Sequence, residues 1–248
     1  MPIENRNGAR IGVFVPYTNT NLEPDLMMMR PDGVSLHFAR LGGYDEDEVP
    51  DEAQMAALGA SDMGEPLRLI QGVKPDVVMY GCTSATLAHG PAFDRELAKT
   101  IEGQSGAKTV TAAGALVHAL KRLGARQIGF ASPYVPSLND EAVAFLAAEG
   151  FASIQRAEVN ERLGNEGQGA LSPDQVLELG QRANHADADT IVLSCTDMRS
   201  VEIIEKLEEE LDKPVVTSNQ AMLFQALELL GGQKPSSGFG CLFERIRA

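Results

Sequence analysis

One nine-residue pattern occurs twice in this chain, and the repetition constrains the fold more than any other feature. Residues 76–84 and 189–197 each begin with aspartate, continue through an apolar run, and end with a small residue, Cys-Thr and one polar residue. Cys82 and Cys195 therefore occupy equivalent positions, each at the carboxyl end of a predicted buried strand. The repetition predicts two similar α/β halves that carry one thiol each.

The repeat continues on both sides of the cysteines. Ile-Gly-Val-Phe-Val-Pro-Tyr at 11–17 matches Ile-Gly-Phe-Ala-Ser-Pro-Tyr at 128–134. Downstream, a segment ending at Thr111 matches one ending at Thr217, and each is followed by a helical pattern that ends in Leu-Gly. The matched segments keep their order and lie 106 to 117 residues apart, which indicates an internal duplication.

Strand-like runs alternate with amphipathic runs along the chain. We predict strands at 10–15, 34–40, 76–80, 108–111, 127–131, 151–156, 189–194 and 214–217. We predict helices at 54–72, 86–102, 113–123, 138–149, 173–185, 199–211 and 219–230. The runs before both cysteines are apolar without alternation, which is typical of strands covered on both faces. The predicted fold is therefore α/β, with two similar lobes that each hold a mainly four-stranded parallel sheet flanked by helices.

The repeat also predicts how the lobes are arranged. The first lobe comprises 1–113 plus 222–248, the second comprises 114–221, and a pseudo-twofold axis relates them. Ligands of open α/β sheets bind beyond the carboxyl ends of the strands. Because both cysteines follow such strand ends, we predict one active site between the lobes.

The composition excludes several classes of function. The 248 residues carry a net charge of −14, which is unsuited to nucleic acid and to anionic membrane surfaces. No apolar run reaches the length of a membrane span, and the first residues contain no apolar export signal. The three cysteines are widely spaced, so we expect free thiols, no metal site and a cytoplasmic location. Cys241 has no counterpart in the repeat and is predicted to be structural.

Paired Cys-Thr turns allow acid–base chemistry at one carbon from two sides. A thiol at a strand end that precedes a helix lies near the helix N-terminus, where a thiolate is stabilised. Thr83, Ser84 and Thr196, with the backbone N–H groups of the same turns, offer hydrogen-bond donors to a carboxylate. One thiolate can remove a proton while the other thiol returns one. Alternatively, one thiolate adds to an activated double bond and the other thiol protonates the neighbouring carbon.

The two turns resemble those of the aspartate/glutamate racemase superfamily, whose members use two cysteines from two similar α/β lobes. The likeness is greatest to the branch that contains maleate cis-trans isomerase and arylmalonate decarboxylase, and it covers nearly the whole chain. The segments around Cys195 and at 214–221 are the most specific matches. The resemblance implies that Asn19, Tyr134 and Asn165 bind the substrate.

The resemblance implies an isomerase that needs no cofactor. The Cys82 thiolate would add to the double bond of a cis-dicarboxylate such as maleate, the new single bond would rotate, and elimination would give fumarate. Cys195 would be the acid/base partner. A racemase of an amino acid, hydantoin or related carbon acid is the alternative. A malonate-type decarboxylase is less favoured because that branch typically has glycine in place of Cys82, and a non-catalytic binding protein is a further alternative. The resemblance also implies a small carboxylate substrate and a homodimer.

Three features near the predicted site differ from the family or have an open function. Asp197 and Arg199 follow the second cysteine, where the family has other residues, and they bear on the substrate more than on the chemistry. The glycine-rich segment 164–169 is not expected to bind a dinucleotide, because it does not follow a strand and open a helix. The acidic segment 42–53 is predicted to be a solvated loop, with a flap over the site as the alternative.

Overall fold

Eight strands form two sheets within the residues that the computed structural model describes, 8–42, 49–61, 63–159, 161–235 and 238–246. The first sheet has the order β2-β1-β3-β4 and the second has the order β6-β5-β7-β8, and every neighbouring pair is parallel. The strands are β1 Ala9–Pro16, β2 Val34–Leu41, β3 Val77–Tyr80, β4 Lys108–Thr111, β5 Gln127–Ser132, β6 Ala152–Glu158, β7 Thr190–Leu193 and β8 Val215–Thr217. The identical order in both sheets confirms the predicted pair of similar four-stranded parallel sheets.

Burial explains why the strand prediction succeeds. All four residues of β3 and all four residues of β7 are buried, as their apolar runs require at the centre of a sheet that helices cover on both faces. The edge strands β2 and β6 are only partly buried, and their sequences mix polar and apolar residues. Each predicted strand lies within two residues of an observed one at both ends.

The helices surround the two sheets. They are α1 Leu22–Met29, α2 Glu52–Gly59, α3 Gly64–Gln71, α4 Thr83–Leu87, α5 Gly90–Ser105, α6 Ala112–Leu123, α7 Pro136–Ala148, α8 Asn165–Gly169, α9 Pro173–Arg182, α10 Ile204–Leu211 and α11 Ser218–Leu229, with 3₁₀ turns at Val201–Ile203 and Cys241–Arg245. No helix of the described residues is long and apolar enough to cross a membrane.

The structure corrects the helix prediction in two places. The run predicted at 54–72 is two helices, α2 and α3. The run at 86–102 is divided between α4 and α5, because Gly90 adopts a φ of 78° that residues with a Cβ avoid. The sequence reading also omits α1 and α8, which are short.

Helix α11 joins the lobes. It packs against α6 and α1, and its first residue, Ser218, accepts a 2.9 Å hydrogen bond from the Thr83 hydroxyl of the first Cys-Thr turn. The lobe boundary predicted between residues 221 and 222 falls inside this helix. The division of the chain at that point stays a prediction.

Candidate functional site

A small cavity lies where the carboxyl ends of the strands of both lobes meet. It has a volume of about 30 Å³ and is lined by Pro16, Thr18, Asn19, Pro50, Met55, Cys82 and Ser84 from the first lobe, and by Tyr134, Leu138, Asn165, Gln168, Cys195, Thr196 and Asp197 from the second. Seven of the eight residues predicted to form the site are among them. Thr83 is the exception, because its hydroxyl is directed to Ser218. We call this cavity the cleft.

The first thiol has the predicted position at a helix start. Cys82 is the residue that precedes α4, and its Sγ lies 3.7 Å from the Ser84 Oγ. The Ser84 hydroxyl in turn donates a 3.0 Å hydrogen bond to the sulfur of Met55 on α2. Cys82 is buried, with 5% of its surface exposed, so its chemistry is confined to the cleft.

The second thiol has different surroundings. The chain after Cys195 forms turns and a 3₁₀ segment, and α10 begins only at Ile204, so no α-helix begins directly after this thiol in the chain. The Asp197 N–H donates a 3.3 Å hydrogen bond to the Cys195 Sγ, which lies 3.8 Å from the Gln168 Oε1. The Tyr134 hydroxyl also interacts with this thiol and lowers its pKa. The expectation of a helix directly after the second cysteine is therefore wrong.

Burial favours the neutral form of both thiols. Removal from water raises the pKa of Cys82, and the Ala85 amide and Ser84 hydroxyl lower it only in part. The pKa of Cys195 is raised well above its ordinary value, first by burial and then by the negative charge of Asp197. The sequence predicts thiolates stabilised by helix N-termini, whereas burial acts against that stabilisation at both thiols.

Several polar groups predicted to bind substrate also tie the two lobes together. The Thr196 hydroxyl donates a 2.9 Å hydrogen bond to the carbonyl oxygen of Gly81, across the two Cys-Thr turns. The Asn19 Nδ2 donates to the same hydroxyl at 3.1 Å, and the Asn19 Oδ1 accepts from the N–H of Leu22 at the start of α1. These bonds fix the relative position of the turns that carry the thiols.

Asp197 is the only charged side chain among the described residues that line the cleft. Its Oδ1 accepts hydrogen bonds from the N–H of Thr20 at 2.8 Å and from the N–H of Asn21 at 3.1 Å. Burial raises the pKa of this carboxyl from 3.8 to about 6. Arg199, the other unexpected residue after the second cysteine, does not line the cleft, and it pairs with Glu202 at 2.7 Å.

The sequence reading named Asn165 in the glycine-rich segment but missed Gln168, because it did not expect a helix there. The segment forms α8, which places Asn165 and Gln168 three residues apart on one face, next to the cleft. A Cβ on Gly169 would stand 3.0 Å from the Thr20 Oγ1 and 3.1 Å from the Asp197 Oδ2. The glycine therefore permits close packing of α8 on the turn that follows Cys195, and the segment adds Gln168 to the predicted Asn165.

Two further expectations concern the surroundings of the cleft. Of the predicted loop 42–53, residues 43–48 lie outside the described part of the chain, whereas Pro50 lines the cleft and α2 begins at Glu52. Within the described residues, no group of three or more His, Cys, Asp or Glu side chains could hold a metal ion.

Comparison with known proteins identifies similar sequences over the whole chain. A family model described as arylmalonate decarboxylase matches residues 11–243. The maleate isomerase of Nocardia farcinica is 29% identical over 249 residues, which cover 96% of this chain and 97% of that protein. The arylmalonate decarboxylase of Bordetella bronchiseptica is 29% identical over 236 residues, which cover 93% of this chain and 92% of that protein.

Solved structures agree with the sequence matches. The maleate cis-trans isomerase of Nocardia farcinica, as a cysteine-to-serine variant with a covalently bound succinylcysteine intermediate, superimposes with a TM-score of 0.85 at 25% identity. The superposition covers 96% of this chain and 99% of that one. These similarities confirm the resemblance drawn from the paired Cys-Thr turns.

Proposed function

This chain belongs to the arylmalonate decarboxylase family, and from that premise we propose that it is a two-cysteine isomerase of a maleate-like cis-dicarboxylate. One observation carries the proposal. Cys82 and Cys195, from equivalent turns of two similar lobes, line the same cleft. The similar maleate isomerases, one of them with a succinylcysteine intermediate, support this reaction over others that use thiols.

The unequal surroundings of the thiols support a division of labour. Asp197 is the second largest cause, after burial, of the raised pKa of Cys195, but the smallest of the causes at Cys82. Cys82 therefore forms the thiolate more readily, and Cys195 keeps its proton. This is the arrangement that a nucleophile and an acid require.

The reaction proceeds by addition, rotation and elimination. After Cys82 has released its proton to solvent, its sulfur bonds to one alkene carbon while the π electrons take the Cys195 proton at the neighbouring carbon. The carbon–carbon single bond then rotates. The Cys195 thiolate removes a proton from that neighbouring carbon, the double bond re-forms, and the carbon–sulfur bond breaks to give the trans product and the original thiol states. No cofactor is part of this cycle.

The remaining cleft residues hold the substrate carboxylates. The amides of Asn19 and Asn165 and the hydroxyl of Tyr134 are neutral donors in a confined space, where such bonds are stronger than in water. The hydroxyls of Ser84 and Thr196 donate to Met55 and to Gly81, and each would turn towards a carboxylate when substrate binds. Thr83 acts on the substrate only through the position of its turn, because its hydroxyl holds Ser218.

The presence of Cys82 argues against the decarboxylase named in the family description, because the resemblance implies glycine at this position in that branch. Two-thiol racemisation of a carbon acid uses the same pair of groups and is the second candidate.

We further propose that the protein is a cytoplasmic homodimer, in keeping with its free cysteines and with the family resemblance.

The test is conversion of maleate to fumarate, followed by ¹H NMR in D₂O without added metal or cofactor. We expect isomerisation by the wild type, loss of at least about a thousandfold in Cys82→Ser, and little change in the control Cys241→Ser, whose thiol lies outside the cleft. Failure of the wild type to convert maleate would contradict the substrate assignment. Deuterium exchange at a stereocentre of an amino acid or hydantoin, dependent on both thiols, would favour the racemase.

A further inference from the structure

The charge of the cleft points to a substrate class different from the dicarboxylates of the similar isomerases. We propose that Asp197 selects substrates with a single carboxylate and a neutral hydrogen-bond donor, such as a primary amide, in place of the second carboxylate. This inference rests on the proposed isomerase function and deepens it. It assigns a specificity role to a residue that the sequence marks only as a departure from the family.

The position of Asp197 gives its charge direct access to the reaction. It is two residues from Cys195, its N–H is bonded to the thiol sulfur, and its side chain lines the cleft. Only 8% of its surface is exposed, so solvent screens the charge weakly. Its charge also raises the pKa of both thiols, as the second largest cause at Cys195 and a smaller one at Cys82.

The partners of Asp197 hold the carboxylate in place without neutralising it. Its Oδ1 accepts from the N–H of Thr20 at 2.8 Å and from the N–H and side-chain amide of Asn21, each at 3.1 Å. The Thr20 hydroxyl donates to the same oxygen at 3.4 Å, and all four donors are neutral groups. The Asn21 side chain is fixed in turn by a 2.9 Å bond to the carbonyl oxygen of Gly169 on α8. The carboxylate is therefore a rigid part of the wall and cannot rotate away from an approaching anion.

No cation compensates this charge within the described lining of the cleft, which contains no lysine, arginine or histidine. Arg199, the nearest arginine in the sequence, is engaged with Glu202. The chain as a whole carries a net charge of −14. The second carboxylate of a dianion would thus stand as a like charge beside the buried Asp197 carboxylate. An amide N–H₂ at the same place could instead donate a hydrogen bond to Asp197. Like charges a few Å apart in a partly buried site reduce affinity by roughly tenfold to a hundredfold.

The ionisation of Asp197 is consistent with this role near neutral pH. Its pKa of about 6 leaves it mostly ionised at about pH 8, where both acids to be compared are fully deprotonated. The comparison is therefore made at that pH.

The experiment gives the enzyme maleate and its half-amide, maleamate, in competition and follows both trans products by ¹H NMR. We expect kcat/KM for maleamate to exceed that for maleate by at least about tenfold. Asp197→Asn removes the charge and replaces one carboxylate oxygen by an N–H₂ donor of the same size. In this variant the ratio of kcat/KM for maleamate to that for maleate should shift by at least about tenfold towards maleate. The control Asp32→Asn, in an exposed turn, should leave the ratio unchanged.

A binding measurement keeps the test independent of turnover and of the variant's folding. By calorimetry on the wild type, the saturated half-amide succinamate should bind at least about tenfold more tightly than succinate. Equal or preferred use of maleate, with a ratio that Asp197→Asn does not move, would overturn the inference and leave the isomerase standing. If neither alkene is isomerised, the proposed function fails, and the inference then stands or falls with the preference for succinamate over succinate.

Discussion

Replacing Asp25 by asparagine should raise the free energy of unfolding relative to the wild type, and the difference should grow with pH. Asp25 lies on α1 with 2% of its surface exposed, and its Oδ2 accepts a 2.7 Å hydrogen bond from the Asn219 Nδ2. Burial raises the pKa of this carboxyl from 3.8 to about 7. The Asn219 Oδ1 is buried without a partner in the described structure, so a protonated Asp25, or an asparagine amide, could supply the missing donor.

The magnitude follows from the linkage of protonation to folding. The folded state binds the Asp25 proton more tightly than the unfolded state, so stability is lost as pH rises from 3.8 to about 7 and then stays constant. The loss is about 1.4 kcal/mol per pH unit in that window. Between about pH 5 and pH 9 the wild type therefore loses about 2–3 kcal/mol that an uncharged asparagine does not lose.

Urea unfolding followed by circular dichroism at about pH 5, 7 and 9 measures this difference. The free energy of unfolding of Asp25→Asn, minus that of the wild type, should rise by about 2–3 kcal/mol from pH 5 to pH 9, mostly before pH 7. The subtraction removes most of the contribution of Asp94 and Asp197, whose raised pKa values act in both proteins. Asp32→Asn is the matched control and should give a flat difference. A flat difference for Asp25→Asn as well would refute the reasoning, because it would mean that Asp25 is ionised throughout.

Three further outcomes are expected. Because burial raises the pKa of the Cys82 thiol, the rate of isomerisation should keep rising with pH through about 9, and a plateau at neutral pH would instead indicate a preformed thiolate. Gly169→Ala, whose Cβ would lie 3.0 Å from the Thr20 Oγ1 and 3.1 Å from the Asp197 Oδ2, should cost about 1–3 kcal/mol in urea unfolding, and an unchanged midpoint would argue against this close packing. Thr83→Val removes the hydrogen bond to Ser218 and should lower the free energy of unfolding by about 1–3 kcal/mol with KM unchanged. The control Thr83→Ser keeps the hydroxyl and should keep the stability of the wild type. A large rise in KM for Thr83→Val would show that the hydroxyl binds substrate.

The sequence predicts the sheets well because the information is local and repeated. The central strands β3 and β7 are apolar runs buried on both faces, and the Cys-Thr that follows each run marks the strand end. The repetition then predicts that Cys82 and Cys195 belong to one site, because equivalent strand ends of paired lobes converge.

The parts that the sequence does not predict depend on tertiary contacts. Helix α8 has only five residues, two of them glycine, and a third glycine precedes it. Such a segment has no apolar periodicity from which the approach of Gln168 to Cys195 could be predicted. The pKa of Cys82 depends on a balance between a helix N-terminus, which a sequence reveals, and burial, which it does not. Asp197 is visible in the sequence, but its uncompensated charge is apparent only once the whole lining of the cleft is known.

The central claim is that Cys82 bonds to the substrate while Cys195 supplies and removes the proton. Incubation of Cys195→Ser with maleate, followed by proteolysis and mass spectrometry, tests it most directly. The account predicts an added mass of one diacid on the peptide that carries Cys82, and no such mass on the peptide that carries Cys241. A covalent adduct on another residue, or isomerisation at the wild-type rate by Cys82→Ser, would contradict it.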